Sequence, residues 1–211
     1  MNPIIEPTLI KTQSDGRIAT VSTTSELFNS RVLMLEGEVN DVVCNSLIRS
    51  MLVLEHQGAN EPITLIINSP GGSVTAGLAL IDTMQALDCP VYTVGEGMVA
   101  SMGAVILASG DHRSVYRHTQ VLIHQIMGGT GVAQQTDIEI VAQHTSDMRR
   151  ALDELLAERS KLSAQEFHDL TERDCWCTAD RALELGLVDE IIAPNVSGRN
   201  AKMAHDANAS D

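Results

Sequence analysis

The sequence predicts an α/β protein in which repeated βαβ units build a mainly parallel sheet. Three times a short β-branched run passes into a helical pattern: RVLML at 31–35, ITLII at 63–67 and VYTV at 91–94. At 211 residues the chain can bury one substantial core, and its 44% hydrophobic and 20% charged content suits a globular domain and is too polar throughout for a membrane span.

The first strand leads into a helix over about 41–57, with Val43, Leu47, Met51 and Leu54 spaced to share one face. The second leads through the turn NSPGGS into a helix carrying Ala76, Ala79, Leu80, Thr83 and Met84. After the third, a short loop precedes a helix that begins near Ser101 and ends before Gly110. Right-handed crossovers place the turns after strands two and three on one sheet edge, where a site is expected.

Two further strands are expected around 114–116 and 121–124, followed by the glycine-rich stretch GGTG at 128–131. A charge-laced helical pattern over about 136–161 is too long and too polar to be wholly buried, so it is expected to project. Ser163 and Glu166 form a capping box for a helix ending near Arg173, and Gly186 closes one more short helix before the strand VDEII. The expected division is an N-terminal segment at 1–30, one domain at 31–193 and a disordered tail at 194–211.

Charge and composition exclude some functions. Twenty-eight acidic residues against fourteen Lys and Arg give a net charge of −14, which repels a phosphate backbone, and no basic cluster offsets it, so no nucleic-acid partner is expected. The opening MNPIIEPTLIKTQSDG has no basic stretch followed by an apolar run, so a cytoplasmic location without a membrane partner is expected. Cys44, Cys89, Cys175 and Cys177 fit neither a zinc knuckle nor a redox C-x-x-C motif and read as buried, reduced thiols. No metal or cofactor is expected.

Ser101 lies in GMVASMGA, where small residues let backbones approach as a strand hands over to a helix. A serine there is usually only a cap, but it also sits beside N–H groups able to hold an oxyanion. Gly71 and Gly72 occupy the matching turn; they fit a tight turn, or a phosphate cradle, which the lack of a following Gly-Lys-Ser/Thr disfavours. His124 ends the apolar run VLIH and is the histidine best placed for a shielded site. Spacing alone does not select Asp174, which reads as a surface carboxylate beside Arg173.

Six segments in order, INSPGGSVTAG at 67–77, ASMGA at 100–104, LIHQ at 122–125, TDIEI at 136–140, TERD at 171–174 and ALELGLVDEI at 182–191, resemble the Clp protease proteolytic subunit family. The resemblance implies the fold shared by that family and the crotonases, a serine endopeptidase acting on unfolded polypeptides, and Ser101 as nucleophile, His124 as base and Asp174 as acid. It further implies the N–H groups of Gly72 and Met102 as the oxyanion hole and Gly128 and Gly129 in a strand that receives substrate by edge pairing. The long helix would be a handle through which two heptameric rings stack, fed by an ATP-driven AAA+ unfoldase. Ile126 stands where the family generally has proline, while Glu96 and Val99 replace the usual apolar residue and alanine. Thr64 and Ile66 fall where many relatives place tyrosines lining the unfoldase groove, which makes that groove atypical. Three rival readings are a crotonase-like acyl-CoA enzyme, a catalytically silent ring subunit and a phage-type capsid maturation protease.

Overall fold

A computed structural model describes residues 7–12, 15–58 and 60–193. The chain opens with an antiparallel hairpin, β1 (Thr8–Thr12) and β2 (Ile18–Ser22), followed by the short helix α1 (Thr23–Asn29). Then come β3 (Val32–Glu36), α2 (Asp41–Gln57), β4 (Ile63–Ser69), α3 (Val74–Ala86), β5 (Val91–Ala100) and α4 (Met102–Ala108). The last part holds β6 (His112–Tyr116), β7 (Gln120–Ile123), α5 (Gln135–Glu158), α6 (Ala164–Leu170), β8 (Cys175–Thr178), α7 (Ala179–Leu185) and β9 (Glu190–Ile192).

The expected βαβ units are present, and β3, β4, β5, β6 and β9 lie side by side in that order, each pair parallel. On the helix-covered face, Leu33, Leu35, Leu65 and Ile67 of the sheet pack with Leu47, Met51, Leu80 and Ile81 of α2 and α3 in one core. All seven residues of α4 are buried, as an apolar helix in a core should be. Asn40 starts α2 by accepting from Val43 N at 3.0 Å, which satisfies one of the helix's orphan donors.

The third strand does not stop at 94 before a loop; it runs on to Ala100. Its first half, 92–95, pairs with β6, and its end, 98–100, pairs with β7, so the sheet forks along β5. Gly97 sits between the halves at φ 58°, and the register to β4 shifts between Ile67 and Ser69. Gly95 and Gly97 hide this continuation, because glycine breaks a strand pattern while here it permits the bend. A Cβ on Gly95 would lie 3.1 Å from Val99 Cγ2 and 2.9 Å from Val115 Cγ1, so this glycine leaves the room that Val99 fills.

Other expectations need smaller corrections. In α3 the buried face is Ala76, Gly77, Leu80, Ile81 and Met84, while Ala79 is exposed and Thr83 turns its hydroxyl back to Ala79 O. The helix α6 carries the expected capping box but ends at Leu170, so Asp174 lies after a turn, one residue before β8. In α5 only Asp153 and Leu156 are buried, and Ile138, Ile140 and Val141 stand exposed on its first turns. Among the cysteines, Cys44, Cys89 and Cys177 are buried but Cys175 is only half-buried; burial and the neighbouring Cys175 push the Cys177 thiol up to about 12. The tail beyond 193 and the first six residues lie outside the described residues.

The face of the sheet opposite the helices holds Thr64 and Ile66 half-buried, with Tyr92 directly across from Thr64 and edge-on to His112, ring centroids 5.5 Å apart. The aromatic residue on this patch of the sheet therefore comes from β5 and not from β4. No helix among the described residues is long and apolar enough to cross a membrane.

Arg113 fastens β6 to the C-terminal segment. Its Nε donates to Asp189 Oδ2 at 3.0 Å, and Nη1 donates to Gly186 O at 2.9 Å. Hydrogen bonds from Arg113, opposed by partial burial, hold the Asp189 carboxyl below its ordinary value. A carboxyl depressed on folding contributes stability that is fully present above the unfolded-state value of about 3.9 and is lost as pH falls through the lower folded-state value. Asp189→Asn is therefore expected to lower the urea midpoint at neutral pH, with the gap closing on acidification below about pH 4. A gap that stayed constant down to the acid transition would contradict this linkage.

Candidate active site

The ends of β4, β5 and β7 meet at one edge, and each delivers a chemically useful group there. At the end of β4, Ser69 Oγ accepts from Gly71 N at 3.1 Å and donates to Gly37 O at 2.5 Å, which folds the SPGGS turn back on itself. Gly71, at φ 90°, lies so close to the next turn that a Cβ there would sit 2.5 Å from Ser101 Cβ and 2.7 Å from Ala100 O. Gly72, at φ 149°, is pressed against Val39, whose carbonyl would lie 2.2 Å from an added Cβ. Val39 N donates to Gly71 O and Ser73 N to Val39 O, both at 2.8 Å, so the backbone of this turn is pinned on either side of Gly72.

At the end of β5, Ser101 adopts φ 55° and ψ −126°, one of two described non-glycine residues at positive φ. Its N–H donates to Leu122 O at 2.8 Å, and its carbonyl accepts from Ala104 N at 2.9 Å, so both backbone groups are held while the strain persists. Its side chain makes no cap to α4. The ordinary account of a serine at a helix start therefore fails; a sharp strand-to-helix turn that presents a hydroxyl is the geometry of a nucleophile elbow. Met102 is the first residue of α4, so its N–H has no intrahelical acceptor.

His124 follows β7 directly, and β7 lies parallel to the end of β5, so imidazole and hydroxyl arrive on the same edge. Ser101, His124, Gly72 and Met102 line one cleft of about 360 Å³. Val74, Val105, Ile123 and Leu156 give it apolar walls. His124 Nδ1 lies 2.6 Å from Gln125 O. A carbonyl only accepts, so Nδ1 carries the proton and Nε2 is left as the acceptor a general base needs.

Asp174 stands apart from that cleft. The antiparallel ladder of β7 and β8 ends with Ile123 opposite Cys175, so one further step would set His124 opposite Asp174. That step is not taken: Asp174 is exposed, does not line the cleft, and makes no hydrogen bond to His124. Ser101 Oγ and His124 are likewise not joined by a hydrogen bond among the described residues. Gly128 and Gly129 are exposed in the stretch between β7 and α5, which forms no strand, with open space where their side chains would be.

Sequence reasoning passed over Gln125, Arg149 and Asp153, which also line the cleft. Arg149 and Asp153 fall one turn apart beside Leu152 and Leu156, a break in the amphipathic pattern of α5, whereas Gln125 is marked only by its place after His124. Among the described residues no three His, Cys, Asp or Glu side chains are grouped to hold a metal ion.

This architecture matches known proteins across most of its length. A sequence profile described as Clp protease matches residues 14–195. The chain belongs to the Clp protease family. It is 45% identical over 174 residues to the ATP-dependent Clp protease proteolytic subunits of Streptococcus pneumoniae strains 70585 and JJA, covering 81% of this chain and 89% of each relative. The Clp protease match begins within the hairpin segment, well before the first of the six motifs at 67, and the mixed α/β fold with its parallel sheet agrees with that membership.

Proposed function

We propose that this member of the Clp protease family, a serine-type endopeptidase, uses Ser101 as nucleophile, His124 as general base and Asp174 as the orienting acid. The observation that carries the reading is the uncapped, strained Ser101 sharing one apolar-walled cleft with His124. His124 Nε2 takes the Ser101 proton as Oγ attacks a peptide carbonyl, and the resulting imidazolium returns it to the leaving amine. The N–H groups of Gly72 and Met102 receive the oxyanion, and water releases the acyl group in a second cycle. In the structure described here, the Gln125 carbonyl occupies His124 Nδ1 and selects the tautomer that Asp174 would select. Extending the β7 and β8 pairing by one residue would hand this role to the carboxylate, which also stabilises the imidazolium.

The family assembles as oligomers that work with ATP-dependent unfoldases. For this chain we read α5 as the handle between stacked heptameric rings, because Ile138, Ile140 and Val141 expose apolar surface that a second ring would cover. Gly128 and Gly129 would present backbone to an extended, unfolded polypeptide, a mode that reads little side-chain sequence. An AAA+ unfoldase would meet a groove whose aromatic residue is Tyr92 beside Thr64 and Ile66. The comparisons do not favour a silent ring subunit, a capsid maturation protease or a crotonase-like enzyme.

A fluorophosphonate probe tests the site. Labelling of the unsubstituted protein that disappears in Ser101→Ala is the expected result. Labelling retained in that variant, or coenzyme A binding by a protein that never labels, would refute the assignment. Native mass measurement should give a fourteen-subunit particle for this arrangement of rings; a stable monomer would contradict the handle.

A further inference from the structure

The one charged side chain that is buried among the described residues takes no part in the chemistry above. Asp153, on α5, has a side chain only 8% exposed and forms part of the cleft wall. A carboxylate held out of water costs several kcal/mol unless it is countered, so its partners point to its role. Its Oδ2 lies 3.1 Å from Nδ1 of His168 and 4.0 Å from Nε of Arg149, one helical turn earlier. That Nε is the single buried side-chain nitrogen or oxygen among the described residues with no hydrogen-bond partner. The Asp153 carboxylate is thus the group that faces this unpaired Nε, at a distance where charge acts without a hydrogen bond.

Both terminal nitrogens of that guanidinium are engaged. Nη1 donates to Gln125 Oε1 at 3.2 Å, and Nη2 donates to His168 O at 2.9 Å and to Glu172 Oε2 at 3.2 Å. Gln125 is the residue whose carbonyl holds His124 Nδ1; its N–H donates to Thr171 O at 3.0 Å and its Nε2 to Glu172 O at 3.1 Å. Glu172 is two residues from Asp174. One planar fork thus binds the segment bearing His124 to the segment bearing Asp174, and the only carboxylate behind the fork is Asp153.

A second use of Asp153 would be to select basic side chains of a substrate from the wall of the cleft. Arg149 already counters its charge, His168 Nδ1 occupies its Oδ2, and Leu152 and Leu156 beside it are apolar, so the geometry does not favour that role. We propose that Asp153 is a positioning residue: acting through Arg149 and Gln125, it sets how the His124 and Asp174 segments lie relative to each other and so how the imidazole is aimed. The proposal rests on the reading of His124 as the base.

The test compares the assembled, full-length protein with Asp153→Asn, which keeps the shape and removes the charge. Arg149→Lys is the second variant, keeping the charge and removing the fork. Initial rates would be measured on two short fluorogenic peptides, one with an apolar and one with a lysine residue before the scissile bond, together with the rate of fluorophosphonate labelling of Ser101. Both variants are expected to lose about 10- to 100-fold in kcat and in labelling rate, equally for the two peptides, with KM and particle mass retained. Unchanged kcat and labelling in both variants overturns the proposal, and so does a defect confined to the lysine peptide or to KM. If Asp153→Asn disassembles, Arg149→Lys decides by the same readings. Failure of the unsubstituted protein to label would instead overturn the triad reading beneath it, which separates the two failures.

Discussion

Ser101→Ala is expected to remove peptide hydrolysis almost entirely, a fall on the order of 10⁶-fold in kcat as seen when the nucleophile of a serine hydrolase is deleted. The oxygen at this position is the only part of the side chain that the reaction uses. It caps no helix, and both backbone groups of the residue are bound to Leu122 and Ala104 irrespective of the side chain. Alanine can keep those hydrogen bonds, so assembly and melting temperature should change little. Initial rates on a fluorogenic peptide, with native mass as the control, read both halves of this expectation. Residual hydrolysis within about tenfold of the unsubstituted protein would mean that another group attacks the substrate.

Gly71→Ala is expected to damage stability and chemistry together. The residue sits at φ 90°, where a Cβ is strained, and that Cβ would lie 2.5 Å from Ser101 Cβ, 2.7 Å from Ala100 O and 3.0 Å from Met102 N. Neither backbone can retreat cheaply, because the SPGGS turn is held by Ser69 and Val39 while Ser101 is held by β7. Strain and overlap together should cost about 3 kcal/mol or more, which lowers the melting temperature by roughly 6–12 °C for a chain of this size. Whatever fraction folds must also separate the Gly72 and Met102 amides, so kcat should fall well beyond the loss of folded protein. A variant with unchanged melting temperature and activity would show that the two turns do not meet as described.

The sequence made the βαβ units legible because their strands are β-branched and their helices amphipathic with clear caps. The bounds of α2 fall where the pattern put them, at Asp41 and Gln57. Legibility failed where one strand serves two partners: the end of β5 is glycine-bearing, and its pairing with β7 depends on a chain segment about twenty residues away. The hairpin before α1 escaped for a similar reason, since β1 is exposed throughout and β2 holds no fully buried residue, so neither carries a core pattern.

At the site, Ser101 and His124 could be singled out from their places at strand ends, whereas Asp174 came only through family resemblance. The fold explains why. Asp174 lies one residue before β8, and any link to His124 would come from extending an antiparallel register, not from a local pattern. Arg149 and Asp153 left only a break in the pattern of α5, and their meaning, like that of Gln125, arises only when α5 is laid along the cleft. Ser101 itself gained its weight from backbone conformation, which the residue types around it suggest but do not state.

A crystal structure of the protein reacted with a peptide boronate tests the arrangement most directly. The account requires boron bonded to Ser101 Oγ, with one boronate oxygen about 2.7–3.1 Å from both the Gly72 and Met102 nitrogens and the imidazole of His124 beside the other. An adduct on a different side chain, or one on Ser101 whose oxygens reach neither amide, would contradict it.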